Sequence, residues 1–366
     1  MIGAEAVDDF LRVRADEGDI PGAVWGISGP AGIIAEGAVG RAAILPKPEP
    51  ARPDTIYDLG SLTKPLITSF LFLKIGRELG LDLDAPVTRF IPQVERLDKR
   101  GITLRHLLTH ASGLPSWRPL YARGSSLDEY LLQIRDIEPT TPPGTRVEYS
   151  CLDYIMLGAV FERCSGSPLD RLAREVILDA LGLTNTCFRP PLAWRDRVAP
   201  TEDSCEYERN LAASMGIEDT GARPGVIRGE VHDRNAWGLG GVAGNAGLFS
   251  TAGETITLAV EFLGAGRGLL DEEALRFATG DQTDGLNESR SLAFRIALRG
   301  ETSAGPALPI ESFGHTGFPG TSVWLDPRRR RVYVLLTNRV HPRVVEGFDM
   351  ADLRRRFHSL AASIEG

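Results

Sequence analysis

The chain has 366 residues, 42% of them hydrophobic, and carries 41 basic against 49 acidic side chains for a formal net charge of −8. At about 100–200 residues per domain this length provides for two or so domains with a full buried core, which excludes disordered and fibrous classes. Net acidity argues against nucleic acid or an anionic membrane surface as partner.

In chain order, the N-terminus reads Met1-Ile2-Gly3-Ala4-Glu5, with no basic region and no apolar run of signal-peptide type. No stretch approaches about 18 uninterrupted apolar residues, so no membrane span is expected. A cytoplasmic protein is the expectation, or a secreted or periplasmic one if a leader has been removed. Ala4, Val7, Phe10, Leu11 and Arg14 have amphipathic helical spacing that stops near Gly18. Strand-like runs follow at Ala23 to Ser28 and Gly32 to Ala38. From about residue 75 to 235 the pattern predicts helices joined by Pro- and Gly-rich loops such as Thr141-Pro142-Pro143-Gly144. Strands return at Ser322 to Leu325 and Arg331 to Thr337; Asp326-Pro327 and the basic run Arg328 to Arg331 read as a solvated hairpin turn between them. Leu353, Phe357, Leu360, Ala361 and Ile364 close the chain with a second amphipathic helix. Helix then strands at one end, mirrored at the other, predict one sheet built from both ends of the chain. The architecture is therefore an α/β domain interrupted by a mostly helical insertion, and a cleft between the two is a common place for a small-molecule site.

Ser61-Leu62-Thr63-Lys64 opens a segment whose apolar positions, Leu62, Leu66, Phe70 and Leu73, keep helical spacing, so hydroxyl and amine share one face. Serine needs a base to become a nucleophile, and a desolvated lysine can share that task. The first-turn N–H groups of a helix favour the anion that forms when a carbonyl is attacked. Pro65 is compatible with a helix start. Lysine occurs otherwise only at Lys47, Lys74 and Lys99, in a chain that uses arginine almost everywhere. Arginine stays protonated, whereas lysine can pass a proton, so position 64 is one where arginine would not serve.

Other features read blandly. Cys151, Cys164, Cys187 and Cys205 are too scattered for a disulfide framework or a Cys-x-x-Cys motif and are expected as reduced thiols. His106 and His110 have helical spacing, but Leu107 stands where a zinc-protease helix needs Glu, which leaves structural histidines near a helix end. No metal or cofactor is implied. Ser112 lacks the setting of a nucleophile elbow and reads as a turn. The glycines between Gly238 and Gly247 lack a Gly-Lys-Ser/Thr and serve tight turns or close backbone approach. The five tryptophans read as core or rim residues, with Trp117, shortly after the Ser-Gly-Leu-Pro turn, the one to test at a cleft mouth.

Tyr57-Asp58-Leu59-Gly60-Ser61-Leu62-Thr63-Lys64, then Tyr149-Ser150-Cys151, then Phe313-Gly314-His315-Thr316-Gly317 resemble, in order, the three active-site elements of the serine β-lactamase and penicillin-binding protein superfamily, class C-like branch. The resemblance extends to Leu107 to Pro115, Gly244 to Ala252 and Leu336 to Pro342; Val231 to Ala236 is similar to the DD-peptidase and esterase-type members. It implies an antiparallel sheet flanked by helices plus an inserted, mostly helical domain. Residues 1–75 and 235–366 would form the α/β sheet domain and 76–234 the insertion, with the site in the cleft between them.

The resemblance also implies roles. Ser61 would be the acylated nucleophile, Lys64 its proton partner, and Tyr149, held as or near phenolate by Lys64, the base. His315 stands where β-lactamases usually carry lysine. With Thr316 and Gly317 it would line the substrate edge, and the N–H groups of Phe318 and Ser61 would form the oxyanion hole. One departure is Cys151, at a position that is most often Asn: a thiol cannot replace an amide that donates and accepts. Cys151 is thus expected to line the cleft without being the nucleophile, tilting the reading toward an esterase or D-Ala-D-Ala-type peptidase. The implied substrate is a small ester, peptide or β-lactam, without cofactor. A β-lactamase and a non-catalytic binding or assembly protein that keeps the fold are the alternatives.

Overall fold

The computed structural model describes residues 3–96, 101–218, 221, 223–345 and 347–365. Lys99 lies outside them.

Seven strands form one antiparallel sheet: β1 (Gly22–Gly29), β2 (Gly32–Ala43), β3 (Glu49–Pro50), β7 (Arg295–Ile296), β8 (Phe313–Thr316), β9 (Ser322–Asp326) and β10 (Arg331–Leu336). Their order is β3-β2-β1-β10-β9-β8-β7, so the first and last strand groups of the chain meet where β1 pairs with β10, Val24 opposite Leu336 and Ser28 opposite Val332. That junction is the sheet expected from both chain ends.

Alternation sends side chains to two cores. Trp25, Ile27, Trp324, Tyr333 and Leu335 pack on one face against Val7 and Leu11 of the Ala4–Asp16 helix and Leu353, Phe357 and Ala361 of the Met350–Ala362 helix. Val24, Val332, Val334 and Leu336 point the other way, onto Ile256 and Ala259 of the Ala252–Val260 helix and the large core beyond. Each such side chain, buried in full, contributes about 1.5–3 kcal/mol. The basic run does make the β9–β10 turn: Asp326 Oδ1 accepts the N–H groups of Arg328 and Arg329, and Arg330 takes a left-handed φ of 53°.

Between the two strand groups lie helices, the longest being Cys151–Ser165, capped by the Ser150 side chain and ended by Gly166 at φ 69°. A second sheet was not expected. Its strands β4 (Tyr57–Asp58), β5 (Cys187–Phe188) and β6 (Leu248–Ser250) run in the order β4-β6-β5. This small sheet ties the residues just before Ser61 to segments far along the chain. Among the described residues, no helix is long and apolar enough to cross a membrane.

Candidate active site

Ser61 sits on a tight 3-10 turn, Gly60–Leu62, immediately after β4. Asp58 fixes the approach by accepting the Gly60 and His232 N–H groups at 2.8 and 2.7 Å. The Thr63 hydroxyl donates to the Gly60 carbonyl at 2.7 Å and accepts the Leu248 N–H at 3.1 Å. The segment is not the regular α-helix that its spacing predicts. Lys64–Ser69 winds as a π-helix, and only Phe70–Ile75 is α. Pro65 removes a donor from the first turn, and Thr68 and Ser69 bond outward to the Gly244 carbonyl at 2.7 Å and the Tyr154 hydroxyl at 2.9 Å.

The fully buried Lys64 reaches back three residues, its Nζ 2.9 Å from Ser61 Oγ. The same ammonium donates to the Asn245 carbonyl at 2.9 Å and to Cys151 Sγ at 3.6 Å. Tyr149 arrives on the loop ahead of the Cys151–Ser165 helix, and its hydroxyl donates to Ser61 Oγ at 2.8 Å. Two sequence-predicted residues, Lys64 and Tyr149, thus converge on the oxygen of a third, Ser61. The resting arrangement differs from a phenolate held by Lys64: the three ammonium hydrogens point to Ser61, Asn245 and Cys151, and Nζ lies 5.0 Å from the Tyr149 ring centroid. Burial, with Cys151 beside it, pushes the Tyr149 hydroxyl well above its ordinary range, so it is neutral at rest.

Cys151 is buried and bridges the other two groups, its thiol donating to the Tyr149 hydroxyl at 3.9 Å. Burial raises its pKa, which suits a neutral thiol. His315, on β8, is 7% exposed, and its Nδ1–H donates to the Thr316 carbonyl at 2.8 Å. Burial, Lys64 and Arg290 hold it well below the usual histidine value, so it is neutral, unlike the lysine whose place it takes. The turn after β8 is pinned to the nucleophile segment: Gly317 N–H bonds to Thr321 O at 2.8 Å, and Thr321 Oγ1 donates to Leu59 O at 2.8 Å. Phe318 N lies 3.4 Å from where a Cβ on Gly60 would stand, next to Ser61.

Ser61, Tyr149 and Phe318 line two cavities. One, of about 250 Å³, is walled by Trp117, Cys151, Tyr207, Leu211 and the carboxyl groups of Glu208 and Asp233. The other, of about 490 Å³, contains His315, Thr316 and Gly317 with Arg290, Arg295, Arg339 and Arg354. Arg290 and Arg295 both pair with Glu288 at 2.9 Å. Arg339 and Arg354 instead bond to the Phe318 and Gly317 carbonyls, at 3.1 and 2.7 Å, and burial lowers both, Arg354 to about 9. Trp117 is half-buried at the cavity wall. Among the described residues no group of three His, Cys, Asp or Glu side chains is placed to hold a metal ion.

Several neighbours of the site carry no signal in the sequence. Arg290 lies in no motif, and its guanidinium stands 5.9 Å from the Tyr149 ring centroid. Asn245 lies in the glycine-rich run, where Gly244 approaches the Cys151–Ser165 helix so closely that a Cβ would fall 2.1 Å from Tyr154 O. His106 is the structural histidine expected, its Nδ1 accepting the Thr103 N–H in a capping box. His110 is different: it packs against the back of Tyr149, ring centroids 4.6 Å apart.

A seven-stranded antiparallel sheet with flanking helices, and a half-buried serine bonded to a buried lysine beside a tyrosine, define the architecture of penicillin-binding proteins and serine β-lactamases. The β-lactamase family model matches residues 7–354, so the chain belongs to that family, and it is a serine hydrolase. A protein of Escherichia coli (strain K12), provisionally named a D-alanyl-D-alanine carboxypeptidase, is 31% identical over 330 residues, covering 83% of this chain and 74% of its own. A protein of the same provisional name from Salmonella typhimurium (strain LT2) is 30% identical over 323 residues, covering 82% and 73%. Among solved structures, EstCE1, a hydrolase with promiscuous acyltransferase activity, superposes with a TM-score of 0.73 at 22% identity over 97% of this chain and 98% of its own. A class C β-lactamase from Rhodobacter sphaeroides superposes at 0.70 with 21% identity over 98% of each chain. Those two likenesses speak for the fold.

Proposed function

We propose that the protein hydrolyses an ester or amide, of carboxylesterase or D-Ala-D-Ala carboxypeptidase type, through a covalent acyl-enzyme at Ser61. The observation that carries the reading is Ser61 Oγ held between Lys64 Nζ at 2.9 Å and the Tyr149 hydroxyl at 2.8 Å, where two cavities meet. For attack, the cluster first loses one proton. Tyr149 as phenolate, beside the Lys64 cation, then takes the Ser61 proton while Oγ bonds to the substrate carbonyl carbon. The oxyanion is received by the N–H groups of Ser61 and Phe318. Collapse breaks the bond to the leaving group, which takes the proton back from Tyr149. Water then attacks the acyl-enzyme by the same route, releasing the acid and restoring Ser61.

The arginine-bearing cavity suits a leaving group that carries a carboxylate, and the D-alanyl-D-alanine carboxypeptidase name of the relatives agrees with that. The cavity at Cys151, Trp117 and Leu211 suits an acyl group recognised by shape rather than by a side-chain amide. In the same reading, Ser61 and His315 belong to a unit of residues 1–75 and 235–366 and Tyr149 to one of 76–234, with the substrate between them. The test is intact-mass analysis after incubation with a nitrophenyl ester, a D-Ala-D-Ala peptide and a chromogenic cephalosporin. An adduct or turnover with ester or peptide that vanishes in Ser61→Ala is the expected result, with the cephalosporin slowest. No adduct and no turnover with any of the three would sink the reading.

A further inference from the structure

His110 and Asp153 form a buried pair that the proposed reaction does not use. His110 is 1% exposed and carries a left-handed φ of 58°, a strained backbone state for a residue other than glycine. In that state it grips Tyr149 from three directions. Its carbonyl accepts the N–H of Glu148 at 2.8 Å, its Nδ1 accepts the N–H of Ser150 at 3.1 Å, and its ring lies against the Tyr149 ring. The two residues flanking Tyr149 in the chain therefore hang from one histidine.

Hydrogen-bond logic then locates a proton. The Ser150 N–H can only donate, so Nδ1 of His110 is unprotonated there. Asp153 Oδ2 faces the same nitrogen at 3.3 Å, and its Oδ1 accepts from Ser112 Oγ at 2.6 Å. Two lone pairs would repel across that gap; a hydrogen on Oδ2 turns it into the longer arm of a bifurcated bond, sharing the single Nδ1 lone pair with the Ser150 N–H. Asp153 is completely buried, and burial drives its carboxyl well above the ordinary range and His110 well below. Lys64, Arg290, Glu148 and His315, with the phenols of Tyr149 and Tyr154, are charged or titratable groups that face the pair.

We propose that His110 is the positioning residue that holds the Tyr149 hydroxyl on Ser61, and that Asp153 supports it as a neutral acid donating from Oδ2 to Nδ1. This rests on the reading of Tyr149 as the proton acceptor for Ser61. A neutral Asp153 makes Asn its isostere, because the amide N–H donates to Nδ1 and the amide oxygen still accepts from Ser112.

The experiment measures kcat and KM on a nitrophenyl ester, with thermal midpoints, for Tyr149→Phe, His110→Asn, Asp153→Ala and Asp153→Asn. Asn tolerates the left-handed backbone but lacks the ring. Expected are a kcat lower by about 10²-fold with KM within about threefold for His110→Asn and Asp153→Ala, as for a misplaced catalytic group. Asp153→Asn is expected within about threefold of wild type and no less stable at neutral pH, and it remains decisive if His110→Asn does not fold. An Asp153→Asn protein that falls as far as Asp153→Ala, or fails to fold, overturns the proton placement. Tyr149→Phe inactive with His110→Asn at wild-type rate overturns the positioning role alone. Tyr149→Phe at wild-type rate removes the reading beneath it.

Discussion

Position 64 asks for a side chain that fits a pocket with three acceptors, Ser61 Oγ, Asn245 O and Cys151 Sγ, at 2.9, 2.9 and 3.6 Å. A guanidinium is larger and planar, so it cannot enter that space and set its charge beside Ser61 and Tyr149 as a compact ammonium does. Lys64→Arg is therefore expected to lose at least about 10³-fold in kcat, as an activated nucleophile does when its partner is removed, while circular dichroism stays native. Near-normal turnover would break the proposed proton route. The composition made this lysine visible, because so few others compete with it. Ser61, Tyr149 and His315 were visible for a related reason: each stands in a short motif whose neighbours repeat a pattern. His110 meets Asp153, and Arg290 meets the Tyr149 ring, through contacts between distant parts of the chain, and no spacing rule announces such a contact.

At the scale of elements, the long strands and terminal helices were legible because each repeats its period several times. The strands β4, β5 and β6 span two or three residues each, shorter than any period that alternation can display. The π-helical turn was hidden as well, since apolar spacing does not tell a widened turn from a regular one. The turn after β8 carries its information in a missing side chain. A Cβ on Gly317 would fall 2.1 Å from Thr321 Oγ1 and 2.3 Å from Leu59 O, and its φ is not left-handed, so space and not backbone freedom demands glycine. Gly317→Ala must push the Phe318 turn away from Ser61. The expected cost is about 1–3 kcal/mol of stability from overpacking, with a fall in kcat of roughly 10²-fold from the displaced N–H. Urea unfolding and ester kinetics on the same preparation check both, and a variant that loses stability but keeps full kcat would remove Phe318 from the oxyanion site.

Across the whole molecule, six histidines and three buried acids set how stability follows pH. His106, His110, His315, His341 and His358 are held below the ordinary 6.5, each chiefly by burial, His358 to about 3. As pH falls below 6.5 the unfolded chain takes up protons there that the native fold refuses, so stability drops. Asp58, Asp153 and Glu208 are raised by burial, Glu208 to about 8, and act in the opposite sense. The fold keeps their protons where the unfolded chain has released them, so their contribution shrinks as pH rises toward their native values. His232 joins them. Burial works against its charge, but the hydrogen bond to Glu202 at 2.9 Å leads the causes that leave it raised. Below pH 6.5 the five lowered histidines take up protons on unfolding, and toward acid the carboxyl groups of Glu49 and Asp84, held low by hydrogen bonds from Arg228 and Arg105, add to the same trend, so stability climbs with pH. Above 6.5 the histidine contribution is complete, and the remaining native-state protons on Asp153, Glu208 and His232 make stability decline. The thermal midpoint measured from pH 4.5 to 9 is therefore expected to peak near 6.5, with Glu208→Gln flattening the alkaline side. A midpoint that kept rising from pH 7 to 9 would mean that Glu208 and Asp153 are ionised in the folded protein, contrary to the proton count that their burial requires.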